Sequence, residues 1–540
     1  MAPPPRVSRF LLLLFPACLL ALGPPADGPI VLTMALSGSA VVTLNASTAL
    51  LQWDVSSPLA VGLVVQLHAL LQPLTVSASP DFPAEASYTG TSAGLWLPLS
   101  PWDVRVGVYA RAEDAVNVSV SATAFSQQDP VPGACSLEFR METDPNVHLN
   151  FTEWVTVVQF AAANVGSPRG QAPPPCDVAR AAHSRWELTY DVYQYFLPEG
   201  DLSESTLFRV LGELESVGAV RQRAAKVASL SSTSKPQLYG NAFHGLGVLH
   251  MVVVTDPVFN TSSLYVPAAT YSCYFTSVDP PSCHMQGETF SLVFLTLLGV
   301  YGLFVCFAGQ RFLEAEYFFF GFLVSSFLCV VLMQRFSGES IQLCLVYGTV
   351  AGWLCGGLCA LCRWRFGVPR LLTFVAGVAL GALLAAIVMV TPLVNDDMMR
   401  NDLLYWACVA AMALTLPVLL LTCTRALNMV ASAVVGSYMA VQALGLYLHA
   451  VHPHIIMGAL LRRALSPLYR QAVLVLPFQA LDCVLTILWG ALVLCGLLSQ
   501  WRLTRTRAPF PPCSYRSQVA RRPRAPDERS PLLPAEGGVH

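Results

Sequence analysis

Seven long apolar runs occupy the C-terminal half of this chain, and they constrain its fold more than any other feature. They are Phe290–Ala308, Tyr317–Met333, Ile341–Leu361, Leu371–Val394, Leu403–Thr424, Leu427–Ala450 and a last run from about Leu476 to Leu498. A hydrocarbon core of about 30 Å is crossed by about 20 apolar helical residues. In lipid the backbone must satisfy its own polar groups, so each run reads as one spanning helix. The composition agrees: 54% of the chain is apolar and 12% is charged, against roughly a quarter charged in soluble proteins.

Charge divides the chain in two. From Asp27 to Glu288 there are 23 acids and 11 bases, whereas from Thr289 onward there are 10 acids and 18 bases, all arginine. That split describes two physical environments rather than one nucleic-acid-binding surface, and no nucleic-acid partner is expected. Ahead of both lies a signal peptide, taken as residues 1–26. Arg6 and Arg9 precede the apolar stretch Phe10–Leu22, which is too short to span, and a cleavage site falls between Gly23 and Gly28.

Residues 27–288 alternate apolar and polar side chains over short stretches such as "VVTLNAS", "VGLVVQLHAL", "DVRVGVYARA", "VNVSVSATAF", "WVTVVQFAAA" and "LHMVVVTD". This is strand periodicity, broken by Pro, Gly and Asp-Pro turns. The spacing predicts two β-sandwich-like modules, 27–127 and 128–288, meeting near Gln127–Pro132. One helix interrupts them at "DLSESTLFRVLGELESVG", with Asp201 and Glu204 as a capping box and Leu207, Val210, Leu211 and Leu214 on one face. The fold class is therefore α+β: a β-rich ectodomain, a seven-helix bundle over 289–499 and a disordered basic tail over 500–540.

Four Asn-x-Ser/Thr sequons, at Asn45, Asn117, Asn150 and Asn260, all precede the first run. Their one-sidedness predicts a glycosylated lumenal or extracellular ectodomain. Four cysteines share it: Cys135, Cys176, Cys273 and Cys283. In an oxidising compartment they form two disulfides. Three pairings are possible; Cys135–Cys176 with Cys273–Cys283 closes the shortest loops.

Seven spans after an external N-terminus put the C-terminus in the cytosol. Arginine counts test this separately. The loops and tail assigned to the cytosol carry 13 Arg, and the opposite side carries five, Arg335, Arg400, Arg462, Arg463 and Arg470, as the positive-inside rule requires. The tail then acquires a meaning. Glu528 lies four residues before the pair Leu532-Leu533. Acid-x-x-x-Leu-Leu resembles a dileucine sorting signal, whose leucines fit an apolar pocket of a clathrin adaptor while the acid meets a basic patch. Pro531 and Pro534 favour the extended, accessible state this needs. The expected residence is plasma membrane and endosome or lysosome; a chance leucine pair is the alternative.

Within the bundle, small residues recur at helical spacing: Gly348, Gly352 and Gly356 in the third run, and Gly377, Gly381 and Ala385 in the fourth. Such faces allow close helix packing within one bundle or between two copies. Asp482, in "FQALDCVLTILWG", is the one acid placed well inside a run. An intramembrane carboxylate is a functional-site candidate for proton or ion handling; a structural hydrogen bond to Gln479, or a position at the watery outer end, is the bland alternative. His449, His452 and His454 form a sparse candidate for zinc without a nearby acid or Cys. Cys355, Cys359 and Cys362 read as soft membrane-helix side chains, with Cys362 a palmitoylation candidate. "HIIMGALLRRALSPLYRQ" reads as an interfacial amphipathic helix or as a segment packed on the bundle. No phosphate-cradling glycine loop, nucleophile elbow or metalloprotease His pair is present. No catalytic residue, cofactor or metal is expected, and the chain reads as a non-enzyme.

Several stretches resemble the transmembrane 7 superfamily member 3 family: "DPVPGACSLEF", "PPPCD", "SRWELTYDVYQYFLPEGDL", "DPVFNTSSLYVPAATYSC", "WRFG", "VVGSY", "PFQ" and "ERSPLL". The likeness runs from about Asp129 to Phe510–Pro512 and resumes in the tail. It implies a seven-span glycoprotein of the cell surface and endomembranes, linked to cell survival and damping of stress responses, with no catalytic site or ligand. Asp-Arg-Tyr after the third run is replaced by "CRWRFG", and the seventh run lacks Asn-Pro-x-x-Tyr, so a G-protein-coupled receptor is the weakest reading. The expectation is a non-enzymatic membrane glycoprotein in contact with lipid, binding a protein or glycan through its ectodomain. A transporter or channel using Asp482 is the runner-up.

Overall fold

The computed structural model describes residues 30–505 apart from 35–37, 56–59, 85–86, 101, 127, 133–146, 153, 162, 165–187, 232–233, 258, 279–280, 285–287, 338–340, 368, 392–400, 449, 451–455, 457, 459, 461–462 and 465. The stretch read as a signal peptide, Cys135, Cys176, the three loop histidines and the Glu528–Leu533 stretch lie outside the described residues.

The first module is a two-sheet β-sandwich. One sheet runs in the order Ile30–Met34, Ala49–Asp54, Arg105–Ala112, Leu74–Ser77, Ser87–Gly90; the other runs Ala40–Leu44, Val116–Ser126, Ala60–His68, Ser92–Pro98. The first pair is parallel, with Ile30 opposite Ala49, and the remaining pairs are antiparallel. Alternation decides which side chains go in. Along Ala49–Asp54, Leu51 and Trp53 are buried while Gln52 is half exposed. They meet Leu63, Val65 and Leu67 from the facing sheet to make one core.

The second module has a sheet of Ala225–Ser231, Thr189–Phe196, Val248–Asp256 and Thr261–Leu264, with Ala268–Thr270 also on Val248–Asp256. A second sheet holds Val147–Phe151, Val155–Phe160 and Gln237–Asn241. Two tyrosines tie the layers at the main chain: Tyr265 Oη donates to Ala161 O at 2.6 Å, and Tyr190 Oη accepts from Ala163 N at 3.0 Å. Cys273 and Cys283 are disulfide-bonded across the hairpin Tyr274–Val278 and Pro281–His284.

The expected helix is two helices, Glu204–Glu213 and Val217–Arg223. Leu207, Val210, Leu211 and Leu214 are buried as one face. The capping box is corrected: Ser203 is the N-cap, and Asp201 sits two residues earlier, accepting from Ser203 N at 2.9 Å and Thr206 Oγ1 at 2.6 Å. Ser203 and then Thr206 hold its carboxyl below the ordinary carboxylate range.

Among the described residues seven long helices follow: Glu288–Ala308, Leu313–Ser337, Ile341–Phe366, Pro369–Val390, Asp402–Leu420, Thr424–Tyr447 and Ala480–Thr504. All seven are long and apolar enough to cross a membrane. The third ends at Gly367, whose φ of 67° suits a residue without Cβ and whose N–H closes on Cys362 O and Arg363 O. Small residues set who packs on whom. A Cβ on Gly356 would lie 2.8 Å from Phe318 O of the second span, and one on Gly381 would lie 2.6 Å from Ala413 O of the fifth. Gly377 meets Pro417 of the fifth span, and Ala385 is fully buried. Gly348 and Gly352 likewise face Ser326. Both glycine series therefore pack helices within a single chain. Trp353, Leu354 and Leu358 of the third span point outward, as lipid contact requires.

Candidate functional site

The most specific construction in the molecule is the joint between ectodomain and bundle. It begins in the segment after the sixth span. Ile456 and Leu460 are buried in the bundle core, so this stretch packs on the bundle. Arg463 is also buried. Its Nε donates to Asp402 Oδ1 at 3.1 Å, and its guanidinium lies 4.9 Å from the Tyr405 ring centre. Arg470, in the 3₁₀ turn Pro467–Gln471, pairs with Asp402 Oδ2 at 2.8 Å. Asp402, the first residue of the fifth span, thus holds two cations of one loop.

The chain then leaves the bundle as a strand. Ala472–Val473 adds in parallel to Gln237–Asn241, with Ala472 opposite Tyr239 and Val473 opposite Gly240. The second ectodomain sheet is completed by a segment lying between two membrane spans. Beneath it, Phe243, Leu246 and Val248 of the ectodomain pack with Val390 at the end of the fourth span and with Leu474 and Leu476. Phe196 meets Phe243 edge-on at 5.5 Å.

Gln479 closes the joint. Its Nε2 donates to Leu197 O at 2.7 Å, and its Oε1 accepts from Glu199 N at 3.1 Å. Gln479 is also the N-cap of the seventh span, and Asp482 is the third residue of that helix, accepting from Gln479 N at 3.3 Å. Asp482 is fully buried, but in the first turn at the ectodomain end of its helix. Its position well inside the run is therefore corrected. The helix starts at Ala480 because Gln479 before it is extended, with φ −100° and ψ 178°, so the carboxylate caps a helix end rather than lying at membrane mid-depth.

The four sequon asparagines are all exposed. Asn45 Oδ1 accepts from Ser47 N at 3.2 Å, and Asn117 Nδ2 donates to Glu204 Oε2 at 3.1 Å, across the two modules. Among the described residues no group of three or more His, Cys, Asp or Glu could hold a metal ion. Asp402, Arg463, Arg470 and Gln479 were not marked by the sequence as one site. A polar residue abutting an apolar run is the signal that could have found Gln479.

Two β-sandwich modules joined by a loop strand to a seven-helix bundle define a seven-span membrane protein with an N-terminal ectodomain. Three family models match it in order: "TM7SF3-like, N-terminal immunoglobulin-like domain" over 33–126, "TM7SF3-like, second immunoglobulin-like domain" over 130–276 and "TM7S3/TM198-like domain" over 295–501. Transmembrane 7 superfamily member 3 of Rattus norvegicus and of Mus musculus are each 39% identical over 84% of this chain and 80% of theirs, and the Homo sapiens protein is 37% identical over the same shares. The chain belongs to the transmembrane 7 superfamily member 3 family, and its two sandwiches are immunoglobulin-like domains. A solved structure of beta-1,2-glucanase from Parabacteroides distasonis aligns at a TM-score of 0.14 with 8% identity, covering 46% of this chain and 31% of its own, and bears on neither fold nor function.

Proposed function

We propose that this chain is a non-enzymatic seven-span glycoprotein whose immunoglobulin-like domains bind a protein or glycan on the external or lumenal side, with the bundle as their coupled anchor. The observation that carries this reading is the strand Ala472–Val473, which makes a loop of the bundle part of the ectodomain sheet. Binding that shifts that sheet would pull on Arg470, Asp402 and the start of the seventh span. Exposed sequon asparagines support glycosylation. The arginine bias supports a cytosolic C-terminus, and Glu528 with Leu532 and Leu533 supports adaptor-driven residence in endosomes or lysosomes. The family resemblance suggests that the coupled unit sustains cell survival and attenuates stress responses. Engagement of Asp482 as a helix cap weighs against the transporter reading built on it.

The test is complementation in cells lacking the protein, read by an unfolded-protein stress reporter. Wild type is expected to lower the reporter, and Gln479→Ala and an ectodomain-deleted chain are expected to fail at equal abundance. A bundle that restores the response alone would remove the ectodomain from the function. A wild-type chain with no effect would remove the stress link. Imaging wild type beside Leu532→Ala/Leu533→Ala tests the tail: unchanged residence of the double variant would dismiss the sorting signal.

A further inference from the structure

At the end of the bundle away from the ectodomain lies a second polar cluster that the joint does not use. Glu316 stands in the first turn of the second span and is fully buried, although Glu314 two residues earlier is exposed. Around it are Asn428 and Ser432 of the sixth span, which face its carboxyl and are also fully buried. Gly309 approaches from the end of the first span: a Cβ there would sit 3.2 Å from Glu316 Cδ. Gln500 of the seventh span closes the cluster. Its Nε2 donates to Cys306 O at 2.6 Å, leaving Oε1 to accept from Ser432 Oγ at 3.0 Å.

The bonding is incomplete in a definite way. Among the described residues, neither carboxyl oxygen of Glu316 and neither carboxamide atom of Asn428 is in well-aligned hydrogen-bond geometry, although Asn428 and Ser432 both approach the carboxyl. Among the described residues no arginine or lysine forms an ion pair with Glu316. A bare carboxylate out of water is strongly disfavoured, and burial persists only where that charge is neutralised. One acid among neutral oxygens balances one positive charge. A divalent ion would leave the site charged, and such ions are held by more carboxylates or by water.

We propose that Glu316, Asn428 and Ser432 form a binding site for a single positive charge, a proton or a sodium ion, inside the bundle. Hard cations take oxygen ligands, and the two Glu316 oxygens, Asn428 Oδ1 and Ser432 Oγ supply them from two helices. With a proton instead, Glu316 donates to Asn428 Oδ1 or Ser432 Oγ, and Asn428 Nδ2 donates to the other carboxyl oxygen. Either occupant satisfies the atoms that otherwise lack partners. The site joins the first, second, sixth and seventh spans, so its occupancy sets how tightly that end of the bundle is held.

The experiment uses the full chain purified in detergent. Melting temperature is measured for wild type and Glu316→Gln, in sodium chloride and in choline chloride at equal ionic strength, from about pH 5 to about pH 8. A sodium site predicts a saturable rise of a few degrees with sodium and none with choline, absent in E316Q. A proton site predicts that the wild-type melting temperature falls relative to that of E316Q as pH rises, indifferent to sodium. Equal responses of wild type and E316Q to both variables would overturn the proposal. Should E316Q fail to fold, wild type alone decides through labelling with dicyclohexylcarbodiimide, which adds a protonated buried carboxyl to give an N-acylurea seen by mass. Labelling of Glu316 suppressed by sodium or by higher pH supports the site; labelling that is absent or changed by neither overturns it.

Discussion

Gln479 and Leu197 are 282 residues apart in the chain, and the side-chain amide of the first donates to the carbonyl of the second at 2.7 Å. The same carboxamide accepts from Glu199 N at 3.1 Å and caps the seventh span. One residue thus terminates an ectodomain strand end and starts a membrane helix. Gln479→Ala leaves Leu197 O and Glu199 N without that partner. The expected loss is about 1–3 kcal/mol. Hydrogen exchange on the full chain should show faster exchange at Glu199 N, with little change in the remote first module. Unchanged exchange at Glu199 would mean the joint is not held by this side chain.

Asp402 and Arg463 form an asymmetric pair, since the arginine side chain is 2% exposed and the aspartate 32%. Removing the acid strands a buried cation, whereas removing both residues does not. Asp402→Asn is expected to cost about 3 kcal/mol, and Asp402→Asn with Arg463→Met should recover part of it. A double-mutant cycle in thermal unfolding reads the coupling; strictly additive effects would refute the pair's role in the joint.

The glycines separate into those in contact and those in open space. A Cβ at Gly381 would lie 2.6 Å from a backbone oxygen of Ala413, whereas one at Gly357 meets nothing within 4 Å. Gly381→Leu should lower the yield of folded protein sharply, by overpacking and helix separation, at a cost of about 1–3 kcal/mol or more. Gly357→Leu should be tolerated. Size-exclusion profiles in detergent compare the two, and equal behaviour would contradict the packing described.

Two buried histidines make the ectodomain sensitive to acid. Burial pushes His68 down to about 4 and His250 down to about 3, from 6.5. His68 lies beside Gln66, Ser119 and Glu215 between the two modules, and His250 Nδ1 is 3.4 Å from Gln194 Nε2. In the unfolded chain both imidazoles take a proton at the ordinary value. Between there and about 4 the unfolded state therefore binds more protons. Stability is full above pH 6.5 and falls as the pH drops, by roughly 2 kcal/mol per histidine at pH 5. Melting curves of wild type, His68→Gln and His250→Gln across this range should show a slope that each substitution reduces. A wild-type profile that His68→Gln and His250→Gln both leave unchanged in this window would exclude the effect.

What the sequence determined by itself is what short windows of chain control. Seven apolar runs had to become seven helices, because lipid leaves the backbone no other partner. Alternation at Leu51 and Trp53, or at Leu63, Val65 and Leu67, had to become sandwich strands, because period two sorts side chains to opposite faces. The stripe from Leu207 to Leu214 had to become a helix with one buried face. Tertiary structure decided the rest. Asp482 is one carboxylate in an apolar stretch in either case, and only the extended Gln479 before it, held by Leu197 O and Glu199 N, makes it a helix cap. Glu314 and Glu316 are both first-turn acids, and only the phase of their helix against the first, sixth and seventh spans sends one outward and buries the other. Ala472–Val473 carries no strand signal of its own; an open edge at Gln237–Asn241 supplies the hydrogen bonds. The physical reason is common to all three. Hydropathy and periodicity act between near neighbours, whereas the partner of an isolated polar group comes from a distant segment that only the completed fold brings within reach.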